Sequence, residues 1–403
     1  MLAGVVSNEE SGPTRLDARA LAPDLARGFM LLFIALANSH YFLRGSSAFG
    51  GFPQDGSVPD SVVAGIIATL VDGRAFPMFG ILFGYGVAQI ARRQTGAGAA
   101  RRSVRWLLWR RSLFLVLLGF LHAMLLYIGD ILAAYGVLLF LGVWVLRWKD
   151  RTLLIVALLI FLVSALPSDG SSATASDQPD PAMLPPDLWT GLAERITVQP
   201  VIALLAPIGF AAPFLLGIWA GRRRILERPE QHLVLLRWTA FIGITAAVAG
   251  ALPVSLVIAG VVDLPSDHTL SLLGPLHDAS GVLGGCGYAA LIALIALRIG
   301  ARRAPITQAI VAVGQRSLTC YLTQSVVWTL VFTPYLGDLS GTLTVTTTAL
   351  VAVATWLLTA ALAELMRRAD YRGPFEVLIR RFTYRPAAYM AAATRSRSSG
   401  SRA

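Results

Sequence analysis

An all-α, polytopic membrane bundle of about ten transmembrane helices, with both termini cytoplasmic, is the fold this sequence predicts. Three observations carry the prediction. Of 403 residues, 55% belong to the AVILMFWYC set and only 14% are charged, against about a quarter charged in soluble domains. Mean hydropathy is +0.65, and the apolar residues fall in long blocks, many approaching the ~20 residues that cross a hydrocarbon core. The basic residues cluster between alternate blocks, as topology-setting charges do. So few charges cannot cover a water-exposed surface, which excludes a soluble enzyme, a secreted disulfide scaffold and a nucleic-acid-binding domain. The expected place is the cytoplasmic membrane, multi-pass, with the lipid bilayer as first partner and no nucleic-acid partner.

Taken in order, residues 1–24 read as a cytoplasmic segment. They hold no long apolar run, carry Glu9 and Glu10, and lack a cleavage-like pattern. The transmembrane bundle occupies 25–366. Its spans fall at 25–43, 76–90, 113–128, 131–146, 153–166, 201–220, 238–261, 281–297, 309–332 and 343–365. Several are short, so the flanking stretches 62–71 and 104–109 are expected to extend or tilt them. Pro207 and Pro213 in the sixth span and Pro253 in the seventh predict kinked or broken helices. Between the fifth and sixth spans, 167–199 is an external loop, rich in Ser, Pro and Asp over 168–186. Residues 367–386 mix apolar and basic residues like a short amphipathic helix on the inner surface. The Ser/Arg-rich tail at 387–403 has the composition of a disordered segment.

Charge placement tests the division. The chain carries 34 basic and 23 acidic residues, and Lys149 is its one lysine. With the N-terminus inside, 30 of the 34 bases fall on inner segments; Arg44, Arg74, Arg195 and Arg316 are the exceptions. The opposite orientation would put every arginine cluster outside. Acids instead mark the outer segments, from Asp169 to Glu194 and at Asp263 and Asp267. Cys286 and Cys320 both lie in apolar blocks, without the company of a disulfide framework or a metal site. No internal repeat is evident.

Ionisable groups within the bilayer are costly and by default face protein or a wet cavity. His122 is the clearest, about 13 Å up a helix counted from Leu113 and so near the midplane. An imidazole both donates and accepts protons near neutral pH; the plainer role is a hydrogen bond to a neighbouring helix. Asp130 follows at the outer turn, as a partner of the site or as a hydrated cap. Asn38, His40 and Arg44 at the outer end of the first span, with Asp72 and Arg74 before the second, have the spacing to converge with Asp130 on an outward polar pocket. Interfacial snorkelling by the two arginines is the plainer alternative. On the ninth span Arg316, Thr319, Thr323 and Gln324 share a face that suits one cavity. The glycines at 281, 284, 285 and 287 have the small-residue pattern of close helix packing.

These residues lie in motifs that resemble the YeiB-like bacterial membrane family, defined by the domain of unknown function 418. DLARGFMLLFIALAN at 24–38, FPMFGILFGYG at 76–86 and LLGFLHAMLLYIGDILAAYGV at 117–137 match in order. VGQRSLTCYLTQS at 313–325 and YRGPFEVLIRRFTY at 371–384 complete the set, with Gln315 where Arg or Lys is usual. The layout is more distantly similar to the transmembrane acyltransferase superfamily, including heparan-glucosaminide N-acetyltransferase and acyltransferase-3 proteins. There a cytoplasmic acyl-CoA supplies an acyl group to an acceptor across or within the membrane. The late span often ends in His in those enzymes, whereas Gln324 stands here, which removes a proton acceptor at that position.

The resemblance implies an integral-membrane acyltransferase whose donor substrate is acyl-CoA and whose acceptor is a small molecule or envelope glycan. His122 is the expected base, with Asp130 positioning or polarising the acceptor. Arg27, Asn38, His40, Arg74, Arg316 and Gln324 are the expected substrate-binding residues. A small-molecule transporter using the same groups as a proton relay, and a non-catalytic membrane partner protein, remain alternatives. A homo-oligomer is compatible with either.

Overall fold

The computed structural model describes residues 19–168, 175–176, 182–300 and 304–384. Most of the expected cytoplasmic segment at 1–24, the expected tail at 387–403, and the loop acids Asp169, Asp177 and Asp180 lie outside the described residues. Within them the chain is all-α apart from a three-stranded antiparallel ribbon of two-residue strands, Ala48–Phe49, Phe52–Pro53 and Ala175–Ser176. Seven helical stretches are long and apolar enough to cross a membrane, by length and composition. They make the protein a multi-pass membrane bundle.

α1 (Leu21–Ser39) runs from the end where the described residues begin and finish, at Arg19 and Tyr384 and called the termini face below, to the opposite face. α2 (Val58–Leu70) and α3 (Ala75–Gly96) follow as two helices where the sequence predicts one span with an apolar extension at 62–71. The chain breaks between them because Gly73 sits at φ +71°, a backbone state that side chains disfavour. α4 (Arg101–Leu125) does take in 104–109, as expected. α5 (Leu132–Val145) and α6 (Asp150–Ser164) are short. α7 (Leu188–Arg222) starts earlier than expected, because Asp187 caps the main-chain N–H groups of Trp189 and Thr190. The end of the predicted loop is therefore helix. α7 passes through Pro200, Pro207 and Pro213, and α8 (Leu233–Ile258) through Pro253, each as one continuous helix, so of the two expected outcomes, kink or break, the break does not occur.

α9 (Asp267–Ile299) packs along α8 and against α3. A β-carbon on Gly281 would lie 2.1 Å from the Gly73 carbonyl oxygen, so the small-residue pattern read from the sequence does set this close approach. The predicted ninth span is two helices, α10 (Pro305–Gln315) and α11 (Ser317–Phe332), broken at Arg316. α12 (Val345–Arg368) closes the bundle. α13 (Pro374–Thr383) is amphipathic as expected, but it docks against α4 and α11, with Phe382 5.2 Å from Phe114. Outward faces carry large exposed apolar side chains such as Leu117 and Leu121 on α4 and Phe241 and Ile242 on α8, the composition that contacts lipid tails.

Candidate functional site

Two cavities enter the bundle from opposite faces. The one at the termini face measures about 230 Å³ and carries the guanidiniums of Arg19, Arg27, Arg111 and Arg380 around an apolar interior that includes Phe79 and Phe83. The one at the opposite face, also about 230 Å³, is lined by Asn38, Tyr41, Asp72 and Asp278 with Phe76 and Phe210. Tyr321 on α11 lines both.

Each helix brings one part. Arg27 of α1 pairs with Asp24 at 3.1 Å, and Arg19 reaches the same carboxylate at 2.7 Å. Gly314 of α10 lets this turn of α1 approach, since a β-carbon there would meet the Asp24 carbonyl oxygen at 1.8 Å. α13 forms the floor. Its Glu376 carboxylate accepts from Leu318 N at 2.9 Å and Thr319 N at 3.1 Å, the free N–H groups at the start of α11, and from the Thr319 hydroxyl. Burial raises the Glu376 carboxyl above its ordinary value. On the same helix, burial together with the nearby Arg372, Arg19 and Arg111 charges pulls Arg380 down to about 10. Positive charge is thus crowded at this mouth beyond what its acids neutralise.

Beside Tyr321 lies a buried dyad. His122 Nδ1 stands 2.8 Å from Asp130 Oδ1, and both side chains are wholly shielded from solvent. Asp130 Oδ2 accepts from Ala133 N at 2.7 Å, capping the start of α5. Gly119 makes the pairing possible: a β-carbon would lie 2.2 Å from Ala133 N and 2.4 Å from Asp130 Oδ2. With Nδ1 engaged by the carboxylate, the imidazole presents Nε2, which is buried with no hydrogen-bond partner. The Tyr321 ring centre is 5.1 Å from the imidazole, and its hydroxyl is likewise buried and unpartnered. Counted from Arg111 at the termini-face mouth, His122 is roughly 16 Å up α4 at 1.5 Å per residue. His122 and Asp130 line neither cavity; Tyr321, which lines both, is the dyad's neighbour there.

The other residues singled out from the sequence are dispersed. Asn38 and Asp72 do meet at the opposite-face cavity. His40 does not line it; its ring stacks on Phe52 at 3.7 Å and neither nitrogen has a polar partner. Arg44 pairs with Asp338 at the surface. Arg74 is fully buried and clamps three elements, donating to the Asp72 and Ala247 carbonyls and lying 2.9 Å from His277 Nε2. The expected convergence of Asn38, His40, Arg44, Arg74 and Asp130 is therefore not found. Nor do Arg316, Thr319, Thr323 and Gln324 line one cavity. Arg316, at the helix break, donates to the Tyr371 carbonyl from Nε at 3.0 Å and from a terminal nitrogen at 2.6 Å. Gln324 donates to the Leu31 carbonyl at 3.3 Å.

The sequence reading does not single out Arg19, Arg111, Arg380, Glu376 or Tyr321; His277–Asp278 is a weaker candidate there, at the outer start of the eighth span. The arginines are absorbed by the positive-inside pattern, and a tyrosine in an apolar run reads as core. The one available signal was that Glu376 and Tyr321 both fall inside recognisable motifs.

Residues 220–386 match the family described as protein of unknown function DUF418. The chain is 26% identical to the uncharacterized protein YxaH of Bacillus subtilis (strain 168), across 92% of this chain and 96% of that protein. It is also 26% identical to the uncharacterized protein YeiB of Escherichia coli (strain K12), across 92% and 97% respectively. His122 and Asp130 precede the family-matched span and fall within the full-length similarity.

Proposed function

We propose that this DUF418-family membrane protein is an acyltransferase, moving an acyl group from an anionic thioester donor, acyl-CoA, at the termini face to an acceptor that enters from the opposite face. One observation carries the reading: a cationic cavity and an acidic one end on the same tyrosine, beside a histidine–aspartate dyad. The orientation that follows has both termini cytoplasmic and the chain crossing about ten times, with α5, α6 and the α10–α11 pair as the short crossings. Arginine clusters then face the cytosol, where the donor's phosphates are available.

In this reading Arg19, Arg27, Arg111 and Arg380 hold the donor phosphates. Asp130 fixes the tautomer of His122, leaving Nε2 to take the proton from an acceptor hydroxyl or amine. The acceptor heteroatom attacks the thioester carbonyl carbon, the C–S bond breaks, and the leaving thiolate takes the proton back from His122. Tyr321 has to swing aside for His122 to meet the acceptor. Arg74, Arg316 and Gln324 support the site by holding helices in place. Donor binding tests the reading: acetyl-CoA should bind the purified protein, and Arg111→Gln should weaken that binding. Absence of donor binding, together with no acylated product from an envelope extract, would sink it.

The same partition by Tyr321 favours one other reading, a small-molecule transporter caught with neither cavity continuous. Alternating inward-open and outward-open states, with substrate counterflow and no acylated product, would select it.

A further inference from the structure

The opposite-face cavity is acidic in its lining. The chain as a whole carries a net charge of +11, yet two carboxylates, Asp72 and Asp278, line this cavity and no lysine or arginine does. Arg74 is next but one to Asp72 in sequence, but its guanidinium points into the helix packing, held by the Ala247 carbonyl at 2.8 Å, His277 and the Asp72 main chain. The Asp72 carboxylate accepts from the main-chain N–H of Gly73 at 3.0 Å and makes no ion pair among the described residues. Asp278 faces the edge of His277 at 3.4 Å. A separate observation concerns Tyr321, which also lines this cavity and whose hydroxyl is buried without a hydrogen-bond partner on a residue only 4% exposed. Such a group costs free energy unless a ligand satisfies it.

We propose that this cavity recognises a small organic molecule through a protonated amine. An ammonium group brings up to three donors, which suit two carboxylates and the unpartnered phenol oxygen. Tyr41, Phe76 and Phe210 share the lining with the acids, and aromatic rings attract an organic cation through their faces and shelter its carbon skeleton. A bare metal ion fits poorly. It wants a shell of oxygen ligands, and no cluster of three or more His, Cys, Asp or Glu exists among the described residues. An anionic ligand is repelled. The proposal names the acceptor class of the transfer reading and to that extent rests on it, but the binding it predicts is read without turnover.

The experiment is calorimetry on the full chain in lipid nanodiscs, with ethanolamine and putrescine as probes and ethylene glycol and butanediol as their neutral counterparts. At least one amine should bind at least about tenfold more tightly than its counterpart, the scale of a charge-assisted contact. Asp72→Asn and Asp278→Asn should each weaken amine binding by about tenfold or more. Asp338→Asn, which removes a surface carboxylate, should leave it unchanged. Equal binding of amine and neutral probe overturns the proposal, as do wild-type affinity in both Asn variants and binding of neither amine. The amine-against-neutral comparison needs only wild-type protein, so it stands if the variants do not accumulate. Amine selectivity without acetyl-CoA binding keeps this inference and removes the transfer reading; acetyl-CoA binding without amine selectivity does the reverse.

Discussion

At His122, pairing and access pull in opposite directions. The 2.8 Å contact with Asp130 orients the imidazole, while complete burial shields Nε2, with the Tyr321 ring centre 5.1 Å from the imidazole. Substitution separates the roles. His122→Ala should abolish transfer while folded protein still accumulates, because it removes a base worth roughly 100-fold or more in rate but little packing volume. His122→Gln keeps a hydrogen-bonding group but offers no base. Full activity in the Gln variant would make the residue structural. Loss of folded protein in Ala with rescue by Gln would assign its main contribution to the buried hydrogen bond. Tyr321→Ala addresses access directly. Removing the ring should speed diethyl pyrocarbonate modification of His122, read by mass spectrometry, whereas an unchanged rate would show that another side chain seals the dyad.

Among the elements, the α4–α5 corner and α13 carry the consequences that can be measured. Gly119 lets α4 lie against the start of α5, and a β-carbon there would collide with main-chain nitrogen, which cannot yield like a side-chain tip. Gly119→Ala should therefore cost about 1–3 kcal/mol, as overpacking does, seen as lower thermal stability together with lost activity. Stability equal to wild type would mean that the corner gives. α13 adds a pH dependence. Burial raises the Glu376 carboxyl above 4.5, so the docked helix binds the proton more tightly than the undocked one. Docking is then strongest below pH 4.5 and weakens as pH rises through the raised value. Spin-label distances between α13 and α4 should lengthen over that window in wild type and stay flat in Glu376→Gln. The elements also show where sequence patterns were readable. Apolar runs located nearly every helix, because burial or lipid contact demands them. The breaks at Gly73 and Arg316 were not legible, since each depends on tertiary partners: Gly281 against the Gly73 carbonyl in one case, the Tyr371 carbonyl in the other. Prolines signal a break or a kink without saying which, and α7 and α8 both run on through theirs as continuous helices.

Across the whole molecule, one distribution of arginines does two jobs. Read along the chain it sets orientation; read in space, part of it lines a cavity. That double use hid the cationic site from sequence reading: Arg19, Arg111 and Arg380 come from three distant segments and look like ordinary inner-face charges until α13 folds back beneath α1 and α4. His122 and Asp130, by contrast, lie in one motif across a single turn, and their pairing was within reach. The two uses also bind orientation to function. If the termini face is cytoplasmic, the cationic cavity opens to a nucleotide-bearing donor and the acidic one to the envelope; if the protein were inverted, the donor would face the wrong compartment and the transfer reading would fail with it. Asp263 in the exposed α8–α9 connection and Gly96 at the exposed end of α3 mark the two faces. In a background lacking Cys286 and Cys320, a membrane-impermeant maleimide added to intact cells should label Asp263→Cys and spare Gly96→Cys, and permeabilisation should make the second reactive. The opposite pattern would invert the bundle, whereas labelling of both in intact cells would place an odd number of crossings differently between α3 and α8.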